Sequence, residues 1–300
     1  GLIVTTESAV QILQSPAYGV PDSKLKHIDH GIRMQLRSYY DRFEIKSQMG
    51  LGGHFVAATA GLLSPGKGIE YGIRGYGRFV HSCLTADQRR RTVYLIAGKS
   101  HPEFVKAEEG RLYREYMESI EEAIADAGLK SVTVKDMKDA DPDNTDIIFL
   151  DRFLDDEGLL KLYASINAML LPYLSTDQIS SGILADTIGS GRVAVATKFR
   201  YALELLYSNE KCGKGMTIGR HARGILMDHG EDSVGQICEA LDYLVFNEKE
   251  RLRMEKQAHQ RGYQMRWDNS AWALLQHIDF VQDEKSVVTG RGVKFVRKKV

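Results

Sequence analysis

Continuous apolar runs alternate with helix-like segments from about residue 54 onward. The runs HFVAATAG (54–61), RTVYLIAG (91–98) and AMLL (168–171) are short and largely apolar, which is typical of strands buried on both faces of a parallel sheet. Strands that alternate with helices in this way predict stacked βαβ units. The sequence therefore predicts an α/β fold in which a parallel sheet is flanked by helices.

Turn and capping residues set the bounds of each predicted element. The predicted strands are Leu2–Thr6, Leu25–Ile28, His54–Gly61, Arg91–Gly98, Asp146–Phe153, Ala168–Leu171, Val193–Thr197 and Gly224–Met227. The predicted helices are Glu7–Gln14, Ile69–Cys83, Glu108–Ala127, Asp155–Ser165, Ile183–Ile188, Arg200–Tyr207, Asp232–Phe246, Glu248–Arg266 and Ser270–Phe280. The C-terminal segment Gly292–Lys299 is expected to be basic and strand-like.

The stretch Pro172–Gly191 (PYLSTDQISSGILADTIGSG) combines a strand end, a polar loop and a helix start. The small residues Ser180–Gly182 open the helix, so backbone N–H groups at its positive end are available to a phosphate. Gln178 precedes this turn and Asp186 lies about one turn into the helix, so both side chains can reach a ligand there. The alternative is an N-capped helix whose polar residues face solvent.

Ligands of parallel sheets bind at the carboxyl ends of the strands, near the point where the strand order reverses. The loops Gly61–Gly68, Gly98–Pro102 and Pro172–Gly182 follow predicted strands. The first of them, GLLSPGKG, places Lys67 between two glycines, which suits close approach of backbone and a point charge to phosphate. Its spacing is not that of a Walker A loop. A solvent-exposed lysine in a Gly-Pro turn is the alternative.

The 300 residues are enough for one large domain or two of ordinary size. Forty basic and forty acidic side chains cancel, so the composition gives no overall field that would recruit nucleic acid or membrane. The cysteines, Cys83, Cys212 and Cys238, are far apart in the sequence and odd in number. They fit a reducing compartment and no disulfide or zinc framework, so we expect a cytoplasmic protein.

The two ends of the sequence carry further expectations. No apolar run approaches the ~20 residues of a membrane span, and no signal peptide is recognisable. Because the chain has no initiator methionine and opens on the strand-like run LIVTT, we expect a fragment or processed piece of a longer protein. The run KFVRKK (294–299) fits peripheral contact with an anionic membrane surface, and it equally fits a solvated chain end.

Several segments, in their order and spacing, resemble the nucleotide-sugar-binding half of a retaining GT-B glycosyltransferase of family 4, also called group 1. GLLSPGKGIE resembles the Gly-Arg-Leu…Lys-Gly loop of that family, and VYLIAGKSHPE resembles its strand ending in Ala-Gly. FLDRFLDDEGLLKLYASINAMLLPY resembles the run that leads to the active site, and QISSGILADTIGSG falls at the Glu-x7-Glu motif. RGILMDHGEDSVGQICEALDYLV and Trp267 follow where the family has its next strand, acidic loop and return segment. The match covers roughly residues 1 to 280.

The resemblance implies a domain organisation. Residues 1–31 would be the closing strands of the N-terminal, acceptor-binding lobe, of which only this remnant is present. Residues 32–53, ending in GLGG, would be a linker. Residues 54–266 would form the Rossmann-like nucleotide-sugar-binding domain, the C-terminal domain of the GT-B fold. Residues 267–300 would form the crossover helix and tail.

The resemblance also assigns roles to residues. Lys67 would stabilise the leaving diphosphate, Gln178 would contact the donor sugar, and Asp186 would contact the ribose, so these three are the expected catalytic residues. The expected donor-binding residues are Gly66, Gly68, Arg152, Phe153, Ser180, Ser181, Gly182 and Glu204. For two of them there is a structural alternative: Phe153 would equally be core, and Glu204 would equally be an exposed helix acid.

Three positions depart from the family pattern. Leu62 stands where the family has an arginine, so Lys67 would lack its usual cationic partner on the diphosphate. The two glutamates of Glu-x7-Glu are Gln178 and Asp186 here. Gln178 can still hydrogen-bond a sugar, but it brings no charge. Asp186 is one methylene shorter than glutamate and can still accept hydrogen bonds from a ribose diol.

The expected function is binding of a nucleoside-diphosphate sugar and transfer of the sugar, with retention, to a sugar, lipid or polysaccharide acceptor. No cofactor or metal is expected, because the lysine and the helix N-terminus supply the positive charge and no carboxylate pair near these loops has metal-ligand spacing. No nucleic-acid partner is expected. The alternatives are a non-catalytic nucleotide-sugar-binding subunit or sensor, and a GT-B sugar-nucleotide epimerase.

Overall fold

The computed structural model describes residues 1–32, 39–206 and 214–289. A parallel sheet of seven strands forms the centre, in the order β5-β6-β4-β3-β7-β8-β9. The strands are β1 Leu2–Val4, β2 Leu25–His27, β3 Phe55–Ala60, β4 Thr92–Ala97, β5 Ser131–Val134, β6 Ile147–Leu150, β7 Ala168–Leu171, β8 Val193–Thr197 and β9 Gly224–Met227. The predicted α/β fold with a parallel sheet is therefore confirmed.

Helices cover both faces of this sheet. They are α1 Glu7–Gln14, α2 Arg42–Gln48, α3 Ile69–Ser82, α4 Ala86–Arg90, α5 Pro102–Lys106, α6 Arg111–Asp126, α7 Asp156–Ser165, α8 Gly182–Gly189, α9 Arg200–Leu206, α10 Glu231–Phe246, α11 Glu248–Gln264 and α12 Trp267–Thr289. Helices α3, α6 and α10 pack on one face, and α7, α8 and α11 pack on the other. Within the described ranges, no helix combines the length and apolarity needed to cross a membrane.

The strand residues alternate between two separate cores. Val56, Ala58 and Ala60 of β3 contribute to the core under α7, α8 and α11, whereas Ala57 contributes to the core under α3, α6 and α10. Successive side chains of a strand point to opposite faces, so a strand buried on both faces must be apolar at every position. This explains why the sequence predicted the central strands β3, β4, β7 and β8 to within one residue at each end.

The elements that the sequence did not predict are short or lie at the edge. Strand β5 alternates exposed and less exposed residues in SVTV and forms one edge of the sheet, so it has no continuous apolar run. Helices α4 and α5 have only five residues each. Helix α6 begins at Arg111, later than predicted, because Glu108 and Glu109 adopt positive φ angles of 49° and 55° in a 3₁₀ turn. The predicted segment Gly292–Lys299 lies outside the described residues.

The segment 32–53, expected to be a linker, contains helix α2. Ile45 is 4% exposed and Leu51 is fully buried, and α2 packs against α7. The glycines that end the segment are therefore part of a turn that leads from a packed helix into β3. The domain boundaries assigned from the resemblance stay a prediction.

The N-terminal segment forms a small unit of its own beside the large sheet. Strands β1 and β2 pair in parallel and α1 packs on them. The carboxylate of Glu204, on α9, accepts hydrogen bonds from the backbone N–H groups of Glu7 and Ser8 at 3.0 and 3.2 Å. Arg261 of α11 donates to Asp29 at 2.6 Å. These polar contacts hold the N-terminal unit against the two helices.

Two of the cysteines meet in space although they are far apart in the sequence. The Sγ atoms of Cys83, at the end of α3, and Cys238, on α10, are 3.8 Å apart, and both side chains are free thiols. Burial raises the pKa of both thiols. Cys212 lies outside the described residues.

A cluster of cations surrounds one buried carboxylate near α2 and α11. Glu255 of α11 pairs with Arg42 at 2.5 Å and with Arg251 at 2.9 Å, and Arg192, which is fully buried, lies 3.8 Å away. Lys46 of α2 donates to the side-chain oxygen of Asn167 at 2.7 Å. Burial, together with the arginines, lowers the pKa of Lys46 to about 7, and Glu255 only partly offsets this.

We expect Lys46 to make stability depend on pH. The unfolded chain keeps the lysine proton up to a pKa near 10.5, whereas the folded chain releases it near pH 7. The free energy of unfolding should therefore rise from pH 7 towards pH 10, by about a few kcal/mol, relative to Lys46→Met. Urea unfolding at intervals across this range measures the difference. Lys138→Met, at a lysine 75% exposed, is the control, and parallel profiles for wild type and Lys46→Met would contradict the expectation.

Candidate functional site

The strand order reverses between β3 and β7, at the centre of the sheet. From β3 the chain passes to β4, then to the edge strand β5 and back to β6 between them, and finally adds β7, β8 and β9 on the other side of β3. The loops that leave the carboxyl ends of β3 and β7 therefore lead away in opposite directions, and the crevice of the fold lies outside the carboxyl ends of the strands at this point. The residues 61–68 and 172–182, singled out in the sequence, form these two loops.

The two loops pack directly on each other through backbone atoms. The N–H of Leu174 donates to the carbonyl oxygen of Gly66 at 3.1 Å. Gly68 has φ +60°, and a Cβ atom built there would lie 2.1 Å from the carbonyl oxygen of Pro172. Only glycine allows both this left-handed conformation and this approach. The glycines beside Lys67 therefore bring its loop against the loop that follows β7.

Lys67 ends a short 3₁₀ turn, Pro65–Lys67, and its side chain is half-buried. Its Nζ atom lies over the ring of Tyr173, 3.9 Å from the ring centroid. The ammonium group is thus placed on the residue that follows Pro172 in the second loop. The structure brings Lys67 to the carboxyl edge of the sheet, as the sequence predicted.

Helix α8 begins at the same edge. The hydroxyl of Ser181 accepts a hydrogen bond from the N–H of Leu184 at 3.3 Å and caps the helix, so this hydroxyl has a structural role. Ser180 and Gly182 are exposed, and the space around the Cα of Gly182 is open. The first N–H groups of α8 are therefore accessible to an anion in the crevice.

The two polar residues that flank this turn are placed differently. The side-chain amide of Gln178 donates to the carbonyl oxygen of Ser180 at 2.9 Å, so it folds back on its own loop. Asp186 is half-buried on α8. Burial raises the pKa of Tyr163, and the charge of Asp186 adds to this effect. The assigned roles of both residues stay predictions.

An apolar pocket of about 170 Å³ opens beside these loops. Its lining comes from the ends of β3, β4 and β6 and from α7 and α8, namely Gly61, Leu62, Ala97, Gly98, Lys99, Phe153, Leu154, Leu159 and Ile183. Phe153 is 79% exposed, so the interpretation of this side chain as core is wrong. Arg152 does not line the pocket, and its buried Nε atom has no hydrogen-bond partner among the described residues.

A second close backbone approach forms the floor of this pocket. Gly98 has φ +142°, and a Cβ atom there would lie 1.9 Å from the carbonyl oxygen of Gly61. Sequence reasoning missed Lys99, Leu154, Leu159 and Ile183 as lining residues. The apolar residues carry no chemical motif, and only the location of Gly98–Pro102 at a strand end pointed to this part of the edge.

Glu204, which the resemblance assigned to donor binding, lies at the N-terminus of α1. Its carboxylate accepts hydrogen bonds from two backbone N–H groups and from the Ser8 hydroxyl, at 3.0 to 3.2 Å. The alternative of an exposed helix acid is therefore wrong, since the carboxylate has a structural role as a cap. In the described ranges, no three histidine, cysteine or acidic side chains lie close enough to hold a metal ion.

Solved structures with a similar fold include glycosyltransferases and two sugar-phosphate synthases. HepE from Anabaena, crystallised with UDP and glucose, matches with a TM-score of 0.63 at 15% identity, over 94% of this chain and 62% of HepE. Sucrose-phosphate synthase from Thermosynechococcus elongatus matches with a TM-score of 0.66 at 14% identity, over 95% of this chain and 58% of the synthase. The C-terminal domain of the group 1 glycosyl transferase LpcC from Francisella tularensis matches with a TM-score of 0.53 at 15% identity, over 77% of this chain and 95% of the LpcC domain.

The fold is thus that of the C-terminal half of a GT-B protein, which confirms the fold that the resemblance implied. The chain spans about three fifths of the length of HepE and of sucrose-phosphate synthase. At these identities the likeness establishes the fold and leaves the function to be argued from the site. No family model matches the sequence, and no curated protein matches it.

We expect Gly68→Ala to destabilise the protein by at least ~2 kcal/mol, since left-handed backbone costs about 1–2 kcal/mol and the Cβ would also clash with a carbonyl oxygen. Gly66→Ala is the matched control two residues away, because a Cβ there meets no atom within 4 Å. Urea unfolding of both variants gives the two free energies. Equal stability of the two variants would contradict the close packing of the loops.

Proposed function

We propose that this chain is the donor-binding half of a glycosyltransferase and that it takes up a nucleoside-diphosphate sugar at the carboxyl edge of the sheet. The observation that carries the proposal is that Lys67, the N-terminus of α8 and the apolar pocket beside Phe153 all lie at the carboxyl edge of the sheet. Ile183 of α8 lines the pocket and lies next to Gly61, the first residue of the loop that carries Lys67. A cation and helix N–H groups suit a diphosphate, and an apolar pocket with an exposed aromatic ring suits a nucleobase.

The proposed binding mode follows the order of these features along the crevice. The base enters the pocket beside Phe153, and the ribose lies towards α8, where Asp186 accepts from its hydroxyls. The diphosphate lies between Lys67 and the first N–H groups of α8. The sugar then lies next to the loop that carries Gln178, which must turn away from the carbonyl of Ser180 to contact it.

In the proposed reaction the bond between the anomeric carbon and the diphosphate oxygen breaks, and the oxygen of an acceptor hydroxyl bonds to the anomeric carbon with retention. The proton of that hydroxyl passes to the leaving diphosphate. Negative charge grows on the leaving diphosphate, and Lys67 and the α8 N–H groups stabilise that charge. These groups are fixed before the donor arrives, so little reorganisation is needed. We propose that no metal takes part, because these groups supply the positive charge.

The comparisons support the nucleotide part of the proposal. HepE was crystallised with UDP, with UDP and glucose, and with UDP-glucose. UDP is therefore the first nucleotide to test, followed by GDP and ADP. We propose a sugar, a lipid or a polysaccharide as the acceptor, and we assign no pocket among the described residues to it. Peripheral membrane contact through residues 294–299 is a separate proposal, which rests on the sequence alone.

A second candidate function is donor binding without turnover, as a sensor or partner subunit. It is favoured by Gln178, which is uncharged and hydrogen-bonded within its own loop. Leu62 also favours it, because an apolar side chain stands at the mouth of the crevice where the resembling family has an arginine. Both candidates need the same nucleotide site and differ in whether the donor is consumed.

We expect Lys67→Ala to weaken binding of a nucleoside diphosphate at least tenfold and to leave nucleoside binding unchanged. A charge-assisted contact to phosphate contributes about 1.5–3 kcal/mol, and nucleosides have no phosphate. Calorimetry with UDP, GDP and ADP, each beside its nucleoside and with a chelator present, measures both quantities. Lys256→Ala, at an exposed lysine on α11, is the control. No binding of any of the three to wild type would refute the proposal.

We expect the double variant Leu62→Arg, Gln178→Glu to bind the nucleoside diphosphate about tenfold more tightly, because the added guanidinium contributes a second charge-assisted contact. If the wild-type chain binds the donor without turnover, donor hydrolysis should be absent in wild type and appear only in this variant. If the wild type already consumes the donor, the enzyme proposal holds. Nucleotide release from UDP-glucose over time distinguishes the two. Looser binding by the double variant would show that residue 62 does not face the diphosphate.

A further inference from the structure

Tyr173 occupies an unusual position beneath the crevice. It follows the proline that ends β7, and its side chain is only 1% exposed. One face of the ring stacks on Phe199, with centroids 5.2 Å apart and planes inclined by 20°. The ammonium of Lys67 lies at 3.9 Å from the same ring. The aromatic ring is thus held between the core and the lysine assigned to the diphosphate.

The backbone on both sides of this contact is fixed. The Thr197 hydroxyl donates to the carbonyl oxygen of Tyr173 at 2.7 Å, and Leu174 donates to Gly66. Gly68 packs on the carbonyl of Pro172. The two residues that flank Tyr173, Pro172 and Leu174, therefore contact the two residues that flank Lys67, Gly68 and Gly66. Because a buried ring cannot change its orientation without disturbing Phe199, the ring offers a constant surface to the ammonium group.

The neighbours of Lys67 leave its charge available. Within the described ranges, no carboxylate lies within 4.0 Å of its ammonium group. An aromatic face attracts a cation without neutralising it, whereas an acidic partner would compete with phosphate. Lys67 is also the only basic residue of the loop 61–68. A free lysine side chain would lose rotamer freedom when its ammonium group binds phosphate. Contact with the ring orders the side chain beforehand, so less entropy is lost on binding.

We propose that Tyr173 is a positioning residue whose ring holds the Lys67 ammonium at the mouth of the crevice, ready for the diphosphate of the donor. The proposal rests on the proposed function, since it needs a diphosphate at this edge. The tyrosine hydroxyl has no part in it: this hydroxyl is buried and has no hydrogen-bond partner among the described residues. The aromatic face alone is required, so phenylalanine should replace tyrosine and leucine should not.

The first test compares Tyr173→Leu with Tyr173→Phe in the full chain. Calorimetry uses whichever of UDP, GDP or ADP binds wild type, together with the matching nucleoside. Tyr173→Leu should weaken diphosphate binding about three- to tenfold and leave the nucleoside unaffected, and Tyr173→Phe should bind both as wild type does. In a Lys67→Met background, Tyr173→Leu should cause no further loss. A purely structural role would weaken diphosphate and nucleoside together.

The second test needs no nucleotide. Lysines are reductively methylated with ¹³C-formaldehyde, and the Lys67 resonance is assigned by its loss in Lys67→Met. An ammonium group over an aromatic face should give an upfield-shifted methyl signal in wild type and Tyr173→Phe, and the shift should be lost in Tyr173→Leu. Thermal unfolding of each variant verifies that it is folded. An unshifted signal in wild type would overturn the proposal.

The outcomes separate the two proposals. If wild type binds no nucleoside diphosphate, the proposed function fails and the positioning role fails with it, even if the methyl signal is shifted. If wild type binds a diphosphate and Tyr173→Leu binds it equally or more tightly, the positioning role alone is overturned. Tighter binding would mean that the ring competes with phosphate for the ammonium group.

Discussion

The structure depends on two contacts in which backbone meets backbone without intervening side chains. Gly68 lies against the carbonyl of Pro172, and Gly98 lies against the carbonyl of Gly61. These contacts join the ends of β3, β4 and β7 at the reversal of strand order. A side chain at either glycine would separate the loops by more than an ångström, and the lysine, the helix N-terminus and the apolar pocket would no longer share one crevice. Burial of the sheet supplies stability, but these contacts define the site.

The sequence predicted the parts of the fold in which every residue serves the core. Strands such as VYLIA and AMLL are apolar on both faces, so their pattern has only one structural explanation. Strand β5 and helices α2, α4 and α5 were not predicted, because short or half-exposed elements depend on contacts that are distant in the sequence. The same reason applies to Glu204. Its local sequence is that of a helix acid, and its cap on α1 joins residues that are 196 and 197 positions apart.

The site was predictable to the extent that it uses backbone geometry. Glycines around a lysine and small residues before a helix are local signals, and the structure brings both to one edge. The pocket beside Phe153 and the ring beneath Lys67 were not predictable, because apolar residues near a ligand look like apolar residues in a core. The two lysines show how much the environment matters. Burial among arginines lowers the pKa of Lys46 to about 7. Lys67 is half-buried, and its ammonium group lies over an aromatic ring.

The cap on α1 connects two parts of the chain that are far apart in the sequence. Glu204 belongs to α9, and the first residues of α9 donate from their N–H groups to the carbonyls of Thr176 and Gln178 at 3.1 and 3.2 Å. The N-terminal unit is therefore linked to the loop of the crevice through one seven-residue helix. One short helix therefore carries both the contact with the N-terminal unit and the hydrogen bonds to the backbone of Gln178, beside the proposed sugar position.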